Sequence, residues 1–217
     1  MLVLAIDTST PAISAALCRV TAEGVETVAA AATVDARAHG ELLAPQIRQV
    51  LGDTSPSRLA AVVAGTGPGP FTGLRVGLVT AVSMAQVLGC PAYGVCSLDG
   101  IGAQTSGRVL VATDARRKEI YWARYVDGTR VGDPAVGHPA DVAAGLADVT
   151  TVAGDGAFRY ADVLGLAPQP PRYPSLPALV ELAADRIRAG APGEALTPLY
   201  LRRPDAVVPA ARKAVLP

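Results

Sequence analysis

The chain has 217 residues and balances 19 lysines and arginines against 19 aspartates and glutamates, so no whole-molecule basic field draws it to nucleic acid or to an anionic membrane. Half of the residues are hydrophobic but only 4% are aromatic. The core is therefore built from Ala, Val, Leu and Ile, and 22 glycines and 18 prolines imply many tight turns.

The opening MLVLAID has no cationic leader and reaches Asp7 at once, which argues against a secretory signal. Three β-rich runs follow, at 2–6, 12–20 and 25–34. Turn residues separate them, and together they read as an antiparallel meander. In GELLAPQIRQVLG the residues Leu42, Leu43, Ile47, Val50 and Leu51 fall at helical spacing, with Pro45 placed near the helix start. Residues 60–64 form a short buried strand. The elbow GTGPGPFTGLR then leads into a helix expected from Thr72, as N-cap, to Leu88, with Gly89 as its stop. The order to this point is βββαβα. AYGVCS reads as a strand, LDGIGAQ as a short helix, and RVLVATDARRKEIYWARYV as two strands around a polar turn.

An internal repeat accompanies that order. Ile13 and Ala16 lie six and nine places after Asp7, and Ile120 and Ala123 lie six and nine places after Asp114. VAGTG at 63–67 is echoed by VAGDG at 152–156. Two copies of a hairpin-led α/β unit follow from this, a first lobe over 1–103 and a smaller second lobe over 104–217. The helix at 176–190 and the tail LTPLYLRRPDA close the chain, with the tail expected to cross back to the first lobe and the last residues, VVPAARKAVLP, expected to fray.

The elbow is not a phosphate loop, because no Gly-Lys-Ser/Thr follows and Pro68 and Pro70 remove two backbone donors. Its helix carries Gly73, Gly77, Ala81 and Ala85 at four-residue spacing, with Leu74, Leu78 and Val82 beside them. Such a stripe either admits a partner helix or seats the helix on its own sheet. Arg75 and Gln86 bracket its apolar stretch well short of a membrane span. Only two histidines exist, His39 and His138, and no HExxH or GxSxG motif occurs. A histidine metal site or a serine triad is accordingly disfavoured. Asp7 and Asp114 end buried strands at hairpin turns, where two carboxylates across a cleft can hold hydrated Mg²⁺ against a nucleotide. The simpler reading, which we favour, has Asp7 capping its own DTST turn and Asp114 at a solvated hairpin tip. The three cysteines, Cys18, Cys90 and Cys96, form no CxxC pair and suit buried thiols in a reducing compartment.

LAIDTS, HGELLAPQI at 39–47, GTGPGPFTGLRVG, DARRKEIYWARY and PLYLRRPDA together resemble the TsaB (YeaZ) family over nearly the whole chain. The resemblance implies an α/β, duplicated actin-like and sugar-kinase-like (ASKHA) fold with two lobes. It implies a cytoplasmic, non-catalytic subunit of the bacterial machinery for threonylcarbamoyladenosine in tRNA, supporting a TsaD-like catalytic subunit together with a TsaE-like ATPase. Pairing, with itself or with TsaD, would use the N-terminal helices, which places Leu42, Leu43, Ile47, Gly73, Leu74, Gly77, Leu78, Ala81 and Ala85 at the interface. TsaD carries a metal-binding histidine pair on the matching helix, where only His39 stands here. The chain itself would need no cofactor, with ATP or ADP and Mg²⁺ at the level of the complex. Asp7, Asp114, Gly154 and Asp155 would be a vestigial nucleotide site, and tRNA would be met only through the complex, with no membrane involved. Pro70 replaces the serine usual in the family elbow. A self-sufficient actin-like ATPase or kinase is the competing reading, and a peptidase lacks its residues.

Overall fold

The structure, a computed structural model, describes residues 1–202. Residues 203–217, with the expected fraying of VVPAARKAVLP, lie outside the described residues. In chain order the elements are β1 (Leu2–Asp7), β2 (Ala12–Val20), β3 (Val25–Val34), α1 (His39–Leu51), β4 (Leu59–Gly65), α2 (Phe71–Leu88), β5 (Ala92–Val95) and α3 (Ser97–Gly102). There follow β6 (Arg108–Asp114), β7 (Ile120–Val126), β8 (Thr129–Gly137), α4 (Pro139–Ala143), β9 (Thr151–Ala153), α5 (Asp155–Arg159), α6 (Ala161–Leu164), β10 (Pro168–Gln169) and α7 (Leu176–Arg188).

The first sheet has the order β3-β2-β1-β4-β5 and the second β8-β7-β6-β9-β10. In each, the first three strands in sequence pair antiparallel as a meander and the last two add in parallel. The second sheet thus repeats the first strand for strand. The spacing match between the hairpins is nevertheless one residue out of register. Asp7 pairs with Ser14 whereas Asp114 pairs with Ile120, so the second turn is a residue shorter.

β1 is buried on both faces, as a near-continuous apolar run in a covered sheet should be. Leu4 and Ile6 pack with Leu43, Ile47 and Val50 of α1 and Leu74, Leu78, Ala81 and Ala85 of α2. Val3 and Ala5, on the other face, pack beneath Leu179, Val180, Ala183 and Ile187 of α7. The first sheet is therefore covered by α1 and α2 on one side and by a helix from the far end of the chain on the other. In the second sheet Leu110 and Ala112 meet Val142, Ala157 and Leu164, while Val109 and Val111 meet Leu98 and Ile101 of α3. Residues 196–200 return along α2: Leu196 joins the first core and Leu199 N–H donates to Thr66 C=O at 2.8 Å.

α2 begins one residue earlier than expected. Pro70 takes the N-cap position with no side-chain cap, so Thr72 is inside the helix and caps nothing. A proline that fixes φ can stand there because it needs no partner for an N–H. Gly89 closes the helix in the left-handed conformation at φ 65°. Pro45 sits two turns into α1 rather than at its start.

Candidate functional site: the first turn, the cleft and helix α2

Asp7 is sealed, at 2% exposure. Its Oδ1 accepts from Ser9 N–H at 2.9 Å and Ser9 Oγ at 2.8 Å, and its Oδ2 accepts from Ser97 Oγ at 2.5 Å. Burial pushes its pKa up, and the bonds from Ser97 and Ser9 pull against that shift. Ser97 Oγ also accepts from Gly67 N–H at 3.0 Å, which joins the elbow to the carboxylate through one hydroxyl. Gly65 leaves the space for this: a methyl on its Cα would overlap Asp7 Oδ2. Asp7 thus caps its own turn and is tied to Ser97.

The two turns do meet. A cavity of about 260 Å³ is lined by Thr8, Thr10 and Pro11 of the first turn, His39, Phe71–Gly73 of α2, and Asp114 and Arg116 of the second turn. Of the four residues assigned to a vestigial nucleotide site, only Asp114 lines it. Asp114 is held at 3.1 Å by Arg159, with its other carboxylate oxygen buried and unpartnered. Asp155 lies beside it, and burial pushes its pKa up to about 6, with the Asp114 charge adding to the shift and nearby amides opposing it. Gly154 stands at φ 96° against the Ala112 carbonyl, where a side chain would overlap the backbone. His39 Nε2 donates to Thr10 C=O at 2.8 Å, which fixes its proton on that nitrogen and spends it on the turn. Among the described residues no group of three His, Cys, Asp or Glu is placed to hold a metal ion. Burial pushes the Cys18 and Cys96 thiols up to about 11, so neither is a thiolate at neutral pH.

The small-residue stripe faces inward. Gly73, Leu74, Gly77, Leu78, Ala81 and Ala85 are the buried residues of α2, and Leu43 and Ile47 are buried on α1. Within this chain they seat the helices on their own sheet. The reason is local. Thr8 Oγ1 donates to Gly73 C=O at 2.7 Å and accepts from Gly77 N–H at 3.0 Å, bridging a donor and acceptor four residues apart. A methyl on Gly77 would overlap that hydroxyl. Leu42 alone of the α1 trio is only partly buried.

The outward face of α2 is apolar as well. Phe71, Val79, Val82 and Val87 are exposed, Val87 at 84%. By length and composition α2 could cross a membrane, with a mean hydropathy of 1.4, but its inner face is seated on the first sheet. A groove of about 410 Å³ runs along its outer side between Arg75, Val79, Val82 and Ser83 and the returning Leu196, Pro198 and Tyr200. At its end the Arg75 guanidinium lies 3.7 Å from the Phe71 ring centroid and donates to Tyr200 Oη at 2.7 Å. The sequence carried no signal for this clamp, whose members are 125 residues apart. Thr8 and Ser97 were also missed, although DTST put Thr8 beside the carboxylate.

A family model described as tRNA N6-adenosine threonylcarbamoyltransferase, TsaD, matches residues 29–170. YeaZ of Pseudomonas aeruginosa has a TM-score of 0.76 and 30% identity, over 92% of this chain and all of that one. The tRNA threonylcarbamoyladenosine biosynthesis protein TsaB of Escherichia coli is 38% identical over 132 residues, covering 58% of this chain and 55% of that protein. A protein of Mycobacterium tuberculosis is 49% identical over 94% of this chain and 93% of its own length. A Mycobacterium leprae relative is also 49% identical, and the chain spans 56% of its length. The chain belongs to the TsaB/YeaZ family.

Proposed function

We propose that the chain is a non-catalytic dimerisation subunit in the formation of threonylcarbamoyladenosine in bacterial tRNA. Its fold is read as the duplicated actin-like and sugar-kinase-like type. In this reading a TsaD-like catalytic subunit, or a second copy of the chain, docks on the outer face of α2, and a TsaE-like ATPase joins the assembly in the cytoplasm. The chain itself needs no cofactor, with ATP or ADP and Mg²⁺ serving the complex. The observation that carries the proposal is the face formed by Phe71, Val79 and Val82, which is exposed on a helix whose other face is fully seated. Exposed apolar patches rimmed by polar side chains mark association surfaces. A self-sufficient ATPase is less well served, because Asp7 is buried and already accepts three hydrogen bonds from Ser9 and Ser97.

Val79→Asp combined with Val82→Asp tests the reading. The double variant keeps the thermal midpoint of the unmodified chain and loses co-elution with the TsaD-like partner, an affinity loss of at least tenfold. Unchanged co-elution overturns the docking face. Calorimetry of the isolated chain with Mg-ATP addresses the alternative, where turnover abolished by Asp7→Asn would make the chain an enzyme.

A further inference from the structure

We propose that the guanidinium of Arg75 is the part of the docking face that recognises an acidic side chain of the catalytic subunit; this rests on the reading above that such a subunit docks on the outer face of α2. Arg75 is exposed, yet it is held in place. Its Cζ lies 3.7 Å from the Phe71 ring centroid and 5.8 Å from that of Tyr200, and its Nε–H donates to Tyr200 Oη at 2.7 Å. The two rings are themselves stacked, with centroids 5.2 Å apart and planes 25° from parallel. A guanidinium carries five N–H donors, and this contact spends one of them. Its two Nη groups have no hydrogen-bond or carboxylate partner among the described residues. A long side chain ordinarily gives up rotamer freedom when it binds. Phe71 and Tyr200 have imposed that order in advance, so an incoming carboxylate meets a preset fork that it can engage in bidentate geometry.

The setting selects the kind of anion. Arg75 lines the groove of about 410 Å³ along α2, whose walls are otherwise formed largely by Leu78, Val79, Val82, Leu196 and Pro198. A protein segment that lays aliphatic side chains along these walls and carries an Asp or Glu within reach of Arg75 complements both parts of the surface. A phosphate backbone also matches the fork, but the apolar walls would strip water from its neighbouring charges without pairing them, which makes nucleic acid the poorer fit. A second copy of the chain is a poorer fit for another reason. Residues 71–88 contain no Asp or Glu, so α2 packed on α2 brings no acid from the facing helix to Arg75. The occupant is therefore an amphipathic, acid-bearing segment of the catalytic subunit, with the guanidinium fixing its register along the groove.

The test measures the affinity of the full chain for the TsaD-like subunit over a salt series. Arg75→Met keeps an apolar stem over Phe71 and removes the charge, whereas Arg75→Lys keeps the charge and removes the fork. Arg75→Met should weaken binding about tenfold at low salt and by a smaller factor as salt rises, with Arg75→Lys falling between it and the unmodified chain. Exposed acids of the partner, replaced one at a time by their amides, should include one whose loss costs nothing further in the Arg75→Met background. Affinity unchanged by Arg75→Met overturns the proposal. So does a loss of the same size at every salt concentration, which would make the side chain a packing element only. Weakened tRNA binding by the assembly with subunit affinity intact would give the fork to phosphate, and weakened self-association alone would give it to a second copy; either result overturns it. Val79→Asp with Val82→Asp separates this inference from the reading beneath it. If that double variant loses the partner while Arg75→Met does not, the docking face stands and the acid contact falls; if neither loses it, the docking reading itself has failed.

Discussion

The two hairpin turns occupy the same place in two sheets of the same topology, yet they do opposite things with an aspartate. In the first, the residue two places after Asp7 is Ser9, whose N–H and hydroxyl fold back onto the carboxylate. In the second, the residue two places after Asp114 is Arg116, held at φ 64°, and Asp114 is held by Arg159 instead. The strand-end glycines follow suit. Gly65 makes room for a buried carboxylate, whereas the corresponding Gly154 lets the backbone itself press on Ala112. A repeated frame therefore does not repeat its chemistry, and a few residues around the turn decide whether it becomes a structural node or a charged tip.

The largest expected effect lies at the first node. Gly65→Ala would drive a methyl into Asp7 Oδ2 and should cost roughly 4 kcal/mol through overpacking and broken buried hydrogen bonds. Chemical denaturation would show this as a lowered midpoint with an unchanged slope; a loss under 1 kcal/mol would mean that the node is soft. Thr8→Val comes next, at about 2 kcal/mol, because Gly73 C=O and Gly77 N–H lose the hydroxyl that bridges them. A variant as stable as the unmodified chain would show that α2 closes its own ladder there.

The second lobe should respond to pH through Asp155. Its folded pKa stands at about 6 against the ordinary 3.8, so the native state holds a proton that the unfolded chain has already released. Between pH 4 and pH 6 the unfolded state binds fewer protons, stability falls as pH rises, and above the folded pKa that loss is complete. Asp155→Asn should flatten this part of the profile and raise stability at pH 7 by roughly 2 kcal/mol. Denaturation midpoints measured from pH 4 to 8 decide it, and a variant profile parallel to that of the unmodified chain excludes Asp155 as the source.

The meander, the elbow, α2 and the two hairpins were legible because each combines a long apolar run with strong turn residues. The rest of the second lobe was not. β9 and β10 have three and two residues, β9 held by pairing with β6 and β10 by pairing with β9, which no local pattern announces, and β8 contains Gly132 and Pro134, which mask its alternation. The orientation of α2 escaped for a different reason. With Leu74 and Leu78 on one side and Val79, Val82 and Val87 on the other, periodicity cannot choose the buried face. The hydroxyl of Thr8 chooses it, through a contact across 65 residues. Asp7 was singled out by its place in DTST, but its burial depends on Gly65 and Ser97, which are remote in sequence.

The smallest expected effect sharpens the contrast between the turns most directly. The first turn is shaped from within, by Ser9 on Asp7, whereas the second is gripped from outside by Arg202, which bonds Ala115 C=O and pairs with Glu119. The pair is about three-quarters buried on each side, so Arg202→Ala should cost only about 1 kcal/mol in global stability. Its local consequence should be larger. With the grip removed, the left-handed turn loses one of its braces, and the amides of Ala115 and Glu119, which donate to Glu119 C=O and Arg116 C=O, should exchange with solvent about tenfold faster, while the amide of Ser9 in the first turn is unaffected. Unchanged exchange at Ala115 and Glu119 would mean that the second turn, like the first, carries its shape in its own residues.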